Sequence, residues 1–170
     1  MRSTLCLSTA ILTLLSASVH GGNPDDFKGI GQCADGALLS LVKSGPTKGR
    51  AFDLYKNATF RTQYLSLIPD KERWSATLTG PSKENRSYVS QGSKPIVVFH
   101  SCETHNCEAS ELYGILEEST GEIGIAILES GKIRQYGKLT RSGISAIACA
   151  KTLDAAAAKR SEQSLKDSKK

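Results

Sequence analysis

The chain has 170 residues, 39% of them hydrophobic and 23% charged, a length that suits one ordinary domain and is too short for two. The formal net charge of +5 is concentrated at the ends, because residues 21–150 carry fifteen basic and fourteen acidic side chains. A nearly neutral body in a chain with 6% aromatic residues does not predict a basic, aromatic-studded surface, which argues against a nucleic-acid partner.

The N-terminus has the pattern of a secretory signal peptide. Arg2 supplies a positive start, residues 5–15 form an apolar run, and small residues between Ala17 and Gly22 offer cleavage points. We therefore predict a signal peptide over residues 1–21 and a periplasmic or secreted protein. The apolar run is too short for a permanent anchor and no later segment is long enough, so no membrane association is expected.

Two helices are predicted before the β-rich part of the chain. Ala37–Val42 has the composition of a short helix that ends near Gly45-Pro46. Ala51–Ile68 is the better candidate, because its apolar residues recur mostly at spacings of three and four and Pro69 ends the pattern.

The centre of the chain predicts five strands separated by short turns that contain glycine or serine. These strands are Tyr88–Gln91, Pro95–Ser101, Glu111–Glu117, Glu122–Glu129 and Lys132–Tyr136. Strands joined by short turns pair with their neighbours in the chain, so we expect an antiparallel meander.

The C-terminal part predicts a helix over Ser142–Ala158, followed by a disordered polar tail over residues 159–170. Helices beside an antiparallel sheet give an α+β fold, here with about five strands in a meander and flanking helices. We expect this single domain to extend over residues 22–158.

The cysteines of an exported chain are expected to form disulfides. Cleavage of the signal removes Cys6 and leaves four cysteines, which allow three pairings. Short-range closure favours Cys102–Cys107 and leaves Cys33–Cys149. Loop closure gives the long bridge about 4–5 kcal/mol and the small ring about 2 kcal/mol, so the ring serves mainly to fix a conformation.

The small ring has an imidazole near its tip, and its residues are Cys102, Glu103, Thr104, His105, Asn106 and Cys107. A metal site is disfavoured, because zinc needs a further ligand and paired cysteines are not thiolates. A redox centre is disfavoured because it usually has a two-residue gap at a helix N-terminus. We interpret the ring as a preorganised recognition loop, the alternative being a surface turn without a role.

The remaining polar residues near the ring give no catalytic apparatus. His100 is interpreted as a strand-end residue, and Ser101 lacks the surroundings of an activated nucleophile. Glu117 and Glu118 are adjacent in a strand and point to opposite faces, so they are a poor acid–base pair. We predict no enzymatic activity, no cofactor and no metal.

The segment between Lys94 and Lys132 contains no other Lys or Arg but seven glutamates, at positions 103, 108, 111, 117, 118, 122 and 129. An acidic half of the domain around the ring would attract a basic partner and speed its encounter. Solvated charges on the outer face of a sheet would give the same pattern.

The ring and its surroundings resemble the inhibitor of vertebrate lysozyme family, whose members bacteria export. The hallmark of that family is a disulfide-closed loop of the form C-K-P-H-D-C that emerges from a sheet, and residues 102–107 read C-E-T-H-N-C. A helix running into Pro69, then Trp74, then Gly80-Pro81 agrees with the family's order of elements. The resemblance covers roughly Ala51–Ala150.

The resemblance implies an inhibitor that inserts the ring into the active-site cleft of a lysozyme or related muramidase. Retaining muramidases place two carboxyl groups about 5 Å apart, and an imidazole between them can bond to both. The resemblance makes His105 this plug and suggests a homodimer. Glu103, Thr104 and Asn106 replace the family's lysine, proline and aspartate, which leaves the preferred target open.

Two other functions stay open. An immunity or control protein, which binds the cell's own or a rival's peptidoglycan-cleaving enzyme such as a lytic transglycosylase, would use the same ring. A thiol or metal protein would instead keep its cysteines as thiolates. Mass measurement with and without reductant separates that last class from the others.

Overall fold

The computed structural model describes residues 38–43, 45–89 and 94–168, which form a six-stranded antiparallel sheet in which every strand pairs with the next one along the chain. The strands are β1 (Leu38–Leu41), β2 (Arg86–Val89), β3 (Ile96–Cys102), β4 (Ser110–Glu117), β5 (Glu122–Glu129) and β6 (Lys132–Gly137). The α-helices are α1 (Ala51–Tyr55), α2 (Ala58–Leu67) and α3 (Arg141–Asp167), and a 3₁₀ helix covers Asp70–Ser75. The predicted α+β meander is confirmed.

The two faces of the sheet are both covered, which explains why its central strands are apolar throughout. Side chains alternate between faces along a strand, so Phe99 packs in the core cluster with Phe60 and Tyr64 of α2. Its neighbour Val98 packs in the opposite cluster with Ile147 of α3. All seven residues of β3 are buried, and β3 is the strand that ends in the ring.

The first strand corrects the prediction of a helix over Ala37–Val42. Leu38–Leu41 is extended and pairs with β2, with Leu39 opposite Tyr88 and Leu41 opposite Arg86. A four-residue segment gains more from pairing at a sheet edge than from one helical turn, because so short a helix does not offset its nucleation cost. The sheet therefore has six strands rather than about five.

The five predicted strands appear as β2–β6, with boundaries that differ by at most two residues. The predicted helix over Ala51–Ile68 is instead two helices, broken at Lys56-Asn57. Asn57 is extended, and its side-chain oxygen accepts a hydrogen bond from the Phe60 amide at 3.0 Å. A new N-cap at this position starts α2 and ends the continuity with α1.

The last helix corrects the expected disordered tail. Helix α3 begins after Thr140, whose hydroxyl caps the Gly143 amide at 3.1 Å, and continues through Asp167. Residues 155–167 are rich in alanine, lysine, arginine, glutamate and glutamine, which have high helix propensity, so helix formation continues past the sheet. Residues 169–170 lie outside the described part of the chain.

The predicted signal peptide also lies outside the described residues, as do Cys33 and the first residues of the predicted domain. In the part of the chain that is described, none of the helices combines the length and the apolar character that crossing a bilayer requires. The predicted location of the protein stays a prediction.

Candidate functional site

The ring lies at one end of the sheet, where β3 ends and β4 begins. Cys102 is the last residue of β3, and a disulfide joins it to Cys107 with their Cα atoms 4.9 Å apart. Cys149 is buried and disulfide-bonded as well. Because Cys33 lies outside the described residues, the Cys33–Cys149 bridge stays a prediction.

Hydrogen bonds cross the ring and fix its shape. The Asn106 amide donates to the Glu103 carbonyl at 3.0 Å, and the Glu103 amide donates to the Ser110 carbonyl at 3.1 Å. The Asn106 side-chain amide donates to the Glu103 carboxylate at 2.6 Å and to the Ser110 hydroxyl at 3.1 Å. Asn106 therefore organises the ring from within, although it is exposed.

His105 occupies the turn at the tip of the ring and is exposed. Its φ of 66° lies in the left-handed region, a conformation that costs an ordinary residue about 1–2 kcal/mol and in which histidine is enriched among non-glycine residues. Its imidazole makes no hydrogen bond or ion pair with any other described residue. The ring thus holds an imidazole at its tip whose two nitrogens are available to a partner.

The base of the ring rests on the segment that precedes β2. The Cys102 amide donates to the Pro81 carbonyl at 2.9 Å, and the Cys102 sulfur contacts the same oxygen at 3.3 Å. A Cβ at Gly80 would collide with the Cys102 carbonyl oxygen, so the close approach requires glycine. Leu78 anchors this segment, since it is fully buried. This segment therefore holds Cys102, the first cysteine of the disulfide, in place.

A buried polar cluster lies behind the ring, on the α3 side of the sheet. His100 is 6% exposed, its Nε2 lies 3.4 Å from the Glu111 carboxylate, and its ring centroid lies 4.7 Å from that of Tyr113 with the two ring planes tilted by 59°. Lys151 of α3 lies 3.4 Å from the other carboxylate oxygen of Glu111. His100 is therefore part of a buried network. The sequence predicted only a residue at a strand end and not these contacts.

Two pKa shifts record the electrostatics of this cluster. Burial raises the pKa of Glu111, but the contact with His100 and the charge of Lys151 lower it by more, so that pKa lies below its usual value. Burial raises the pKa of Tyr113 well above its usual range. Glu111 is therefore ionised at neutral pH and Tyr113 is a neutral phenol, which is the arrangement of a structural network rather than of an acid–base pair.

The seven glutamates of the acidic segment do not form one acidic surface around the ring. Strand register places Glu117 opposite Glu122 at the far end of the sheet. Three of the seven contact cations: Glu111 contacts Lys151, Glu122 contacts Lys138, and Glu129 contacts Arg134. In the ring segment Glu103 and Glu108 remain without a cation among the described residues, so the expected acidic half is reduced to these two carboxylates.

A second buried carboxylate, Glu72, also has a structural environment. Glu72 is 2% exposed; its carboxylate contacts the Arg134 guanidinium at 2.7 Å and accepts a hydrogen bond from the Tyr136 hydroxyl at 3.0 Å. Burial raises the pKa of Tyr136 to about 12. Because both oxygens of Glu72 are engaged, it joins the 3₁₀ helix to β6 and is not free to transfer a proton.

The described residues contain no group of three or more His, Cys, Asp or Glu side chains that could hold a metal ion. Comparisons with known protein families, with curated proteins and with solved structures found no match. The resemblance to lysozyme inhibitors thus rests on the ring sequence and on the order of the elements around it. The geometry of the ring must carry the functional argument.

Proposed function

We propose that this protein is an exported lysozyme inhibitor, which inserts the ring at residues 102–107 into the active-site cleft of a muramidase. One observation carries the proposal: His105 is exposed, left-handed and without a partner among the described residues, on a ring whose other polar side chains largely bond to one another. A residue held in a strained conformation at an exposed tip is typical of sites that contact a partner.

The chemistry of the target explains why an imidazole suits this position. A retaining muramidase holds two carboxyl groups about 5 Å apart, one as the general acid and one ionised. The two ring nitrogens of His105 would each hydrogen-bond to one of them. An imidazole that carries a proton on both nitrogens donates both bonds. The plug would then occupy the place of the scissile sugar linkage and block catalysis.

The rigidity of the ring supports tight binding. A loop that is already ordered loses little conformational entropy when it binds. The disulfide, the cross-ring bonds of Asn106 and the support from Pro81 all restrict the ring before any partner arrives. The energy of the His105 contacts is therefore available for affinity rather than for ordering the loop.

Two of the residues that differ from the family's loop sequence contact each other within the ring. Glu103 and Asn106 stand where the family has lysine and aspartate, and here the carboxylate accepts a hydrogen bond from the amide at 2.6 Å. A basic and an acidic side chain at the same two positions could make the same contact with the polarity reversed. Both changes are thus compatible with a conserved ring shape, and Thr104 is left beside His105 on the exposed tip.

A turbidity assay tests the proposal directly. The purified protein is titrated against a panel of muramidases, including a vertebrate lysozyme and bacterial lytic transglycosylases, while lysis of cell walls is followed. We expect inhibition of at least one of them and a loss of about 30-fold or more for His105→Ala, as for a central interface residue. Inhibition that His105→Ala leaves unchanged would refute the plug.

A further inference from the structure

The ring is too small to form a specific interface alone. A stable protein–protein interface engages about 20–30 residues and buries about 800 Å² on each partner. The ring has six residues, of which Thr104, His105 and Asn106 are exposed. If the proposed function holds, surface next to the ring must contribute most of the contact.

An open groove of about 510 Å³ lies directly beside the ring tip. We call it the ring groove, and it is lined by Arg50, Phe52, Thr79, Pro81, Ser82 and Thr104, among others. Thr104 belongs to the ring, and the segment around Pro81 supports the ring base. A partner that surrounds the tip therefore reaches this groove without any rearrangement of the chain.

Phe52 gives the ring groove an exposed aromatic side chain. It is 41% exposed, whereas Ala51 and Leu54 of the same helix are buried. The Lys56 ammonium lies 5.1 Å from its ring, a cation–π contact that restrains the side chain. Large, restrained side chains with an apolar face are typical anchors at protein interfaces.

The charges at the ring groove match an acidic cleft. Asp53 is engaged internally, because it contacts Lys56 at 2.7 Å and accepts a hydrogen bond from the Arg50 amide at 2.9 Å. The guanidinium of Arg50 forms no salt bridge with another described residue, and its charge contributes to lowering the pKa of Asp53. With Asp53 paired to Lys56, Arg50 gives this wall of the groove a net positive charge close to Thr104 of the ring, and a muramidase cleft carries two carboxyl groups.

We infer that the ring groove is a second contact surface for the same muramidase, which places an apolar side chain of its cleft wall on Phe52 while the ring plugs the active site. This inference rests on the proposed function. It assigns the partner an apolar rim next to acidic groups, and it makes Phe52 the main determinant of affinity outside the ring.

The test compares four variants by binding and inhibition, with a vertebrate lysozyme and every other muramidase that the wild type inhibits as probes. Phe52→Ala removes the anchor, and Thr79→Trp fills the groove from its other wall. Leu65→Ala is the matched control, because Leu65 is 43% exposed on α2 and does not line the groove. His105→Ala reports on the plug itself. Circular dichroism and thermal unfolding establish that each variant is folded.

We expect Phe52→Ala and Thr79→Trp each to weaken binding about tenfold or more, while Leu65→Ala has no effect. Normal binding by both groove variants, combined with loss in His105→Ala, would overturn the groove and leave the plug intact. Equal losses in Leu65→Ala and Phe52→Ala would also overturn it, since the effect would not be local. If Phe52→Ala does not fold, Thr79→Trp decides. A wild type that binds no muramidase refutes the proposed function and this inference together.

Discussion

His100 and His105 are five residues apart in sequence, yet their surroundings have nothing in common. His100 is buried between Glu111 and Tyr113, where its imidazole belongs to the interior. His105 is exposed at a turn, with neighbours that bond to one another instead of to it. The comparison teaches that the partners around an imidazole, more than its position in the sequence, separate a structural histidine from a candidate recognition histidine.

Removing each imidazole separately is the most direct test of the difference between His100 and His105. We expect His100→Ala to lower the free energy of unfolding by about 2–4 kcal/mol, because it leaves a cavity and a half-buried Glu111 with one partner fewer. Inhibition per folded molecule should be retained. His105→Ala should change the free energy of unfolding by less than about 0.5 kcal/mol. Urea unfolding measures both, and the opposite ranking would contradict the assigned roles.

Removal of the disulfide tests whether it contributes to the shape of the ring beyond its contribution to stability. For the double variant Cys102→Ser and Cys107→Ser we expect a decrease of about 2 kcal/mol in the free energy of unfolding, since the closed loop is short. Inhibition should fall more steeply than the folded fraction, because the tip becomes mobile. Inhibition assays and thermal unfolding on the same samples give both values. A purely proportional loss would mean that the disulfide has no role in preorganisation.

The support of the ring can be tested without touching the ring. In Gly80→Ala the added Cβ meets the Cys102 carbonyl oxygen, so the backbone must shift at a cost of about 1–2 kcal/mol. We expect weakened inhibition, because the base of the ring moves while His105 is intact. Gly45→Ala is the control, because its added Cβ meets no atom within 4 Å and the residue does not line the ring groove, so it should inhibit normally.

The buried cluster should show itself in the pH dependence of stability. The pKa of Glu111 is lower in the folded state than in the unfolded chain, so its contribution is present above the unfolded value of about 4.3 and is lost as the pH falls through the folded value. We expect Glu111→Gln to reduce the difference in stability between pH 7 and pH 3 by roughly 1 kcal/mol or less, since Glu111 is only partly buried. An unchanged pH profile in chemical unfolding would contradict this.

Much of the fold was predictable because its signals are local. Strands β2–β6 follow from apolar runs separated by turns, and α3 follows from its apolar face. Strand β1 was missed because Leu38–Leu41 has no alternation, and only its pairing with β2 decides its conformation. The break at Asn57 depends on one side-chain cap, and the helical residues 159–167 on propensity alone.

The candidate site also has a part that the sequence predicts and a part that it does not. The ring could be predicted because two cysteines five positions apart close it locally. The ring groove could not, because Phe52, Thr79 and Thr104 meet only after three separate segments pack together. The expected acidic half is dispersed because β4 is extended: Glu111 and Glu117 lie near opposite ends of this one strand and therefore at opposite ends of the sheet.

Helix α3 has a consequence for the approach of any large partner. Lys151 and Asp154 contact Glu111 and Lys83, which places this part of the helix at the ring end of the sheet. Thirteen further residues, Ala155–Asp167, continue the helix as a mostly exposed rod about 20 Å long. If the ring enters an enzyme's cleft as proposed, we expect this rod to act as a steric filter that disfavours an enzyme that is wide on that side and admits one with a narrow flank.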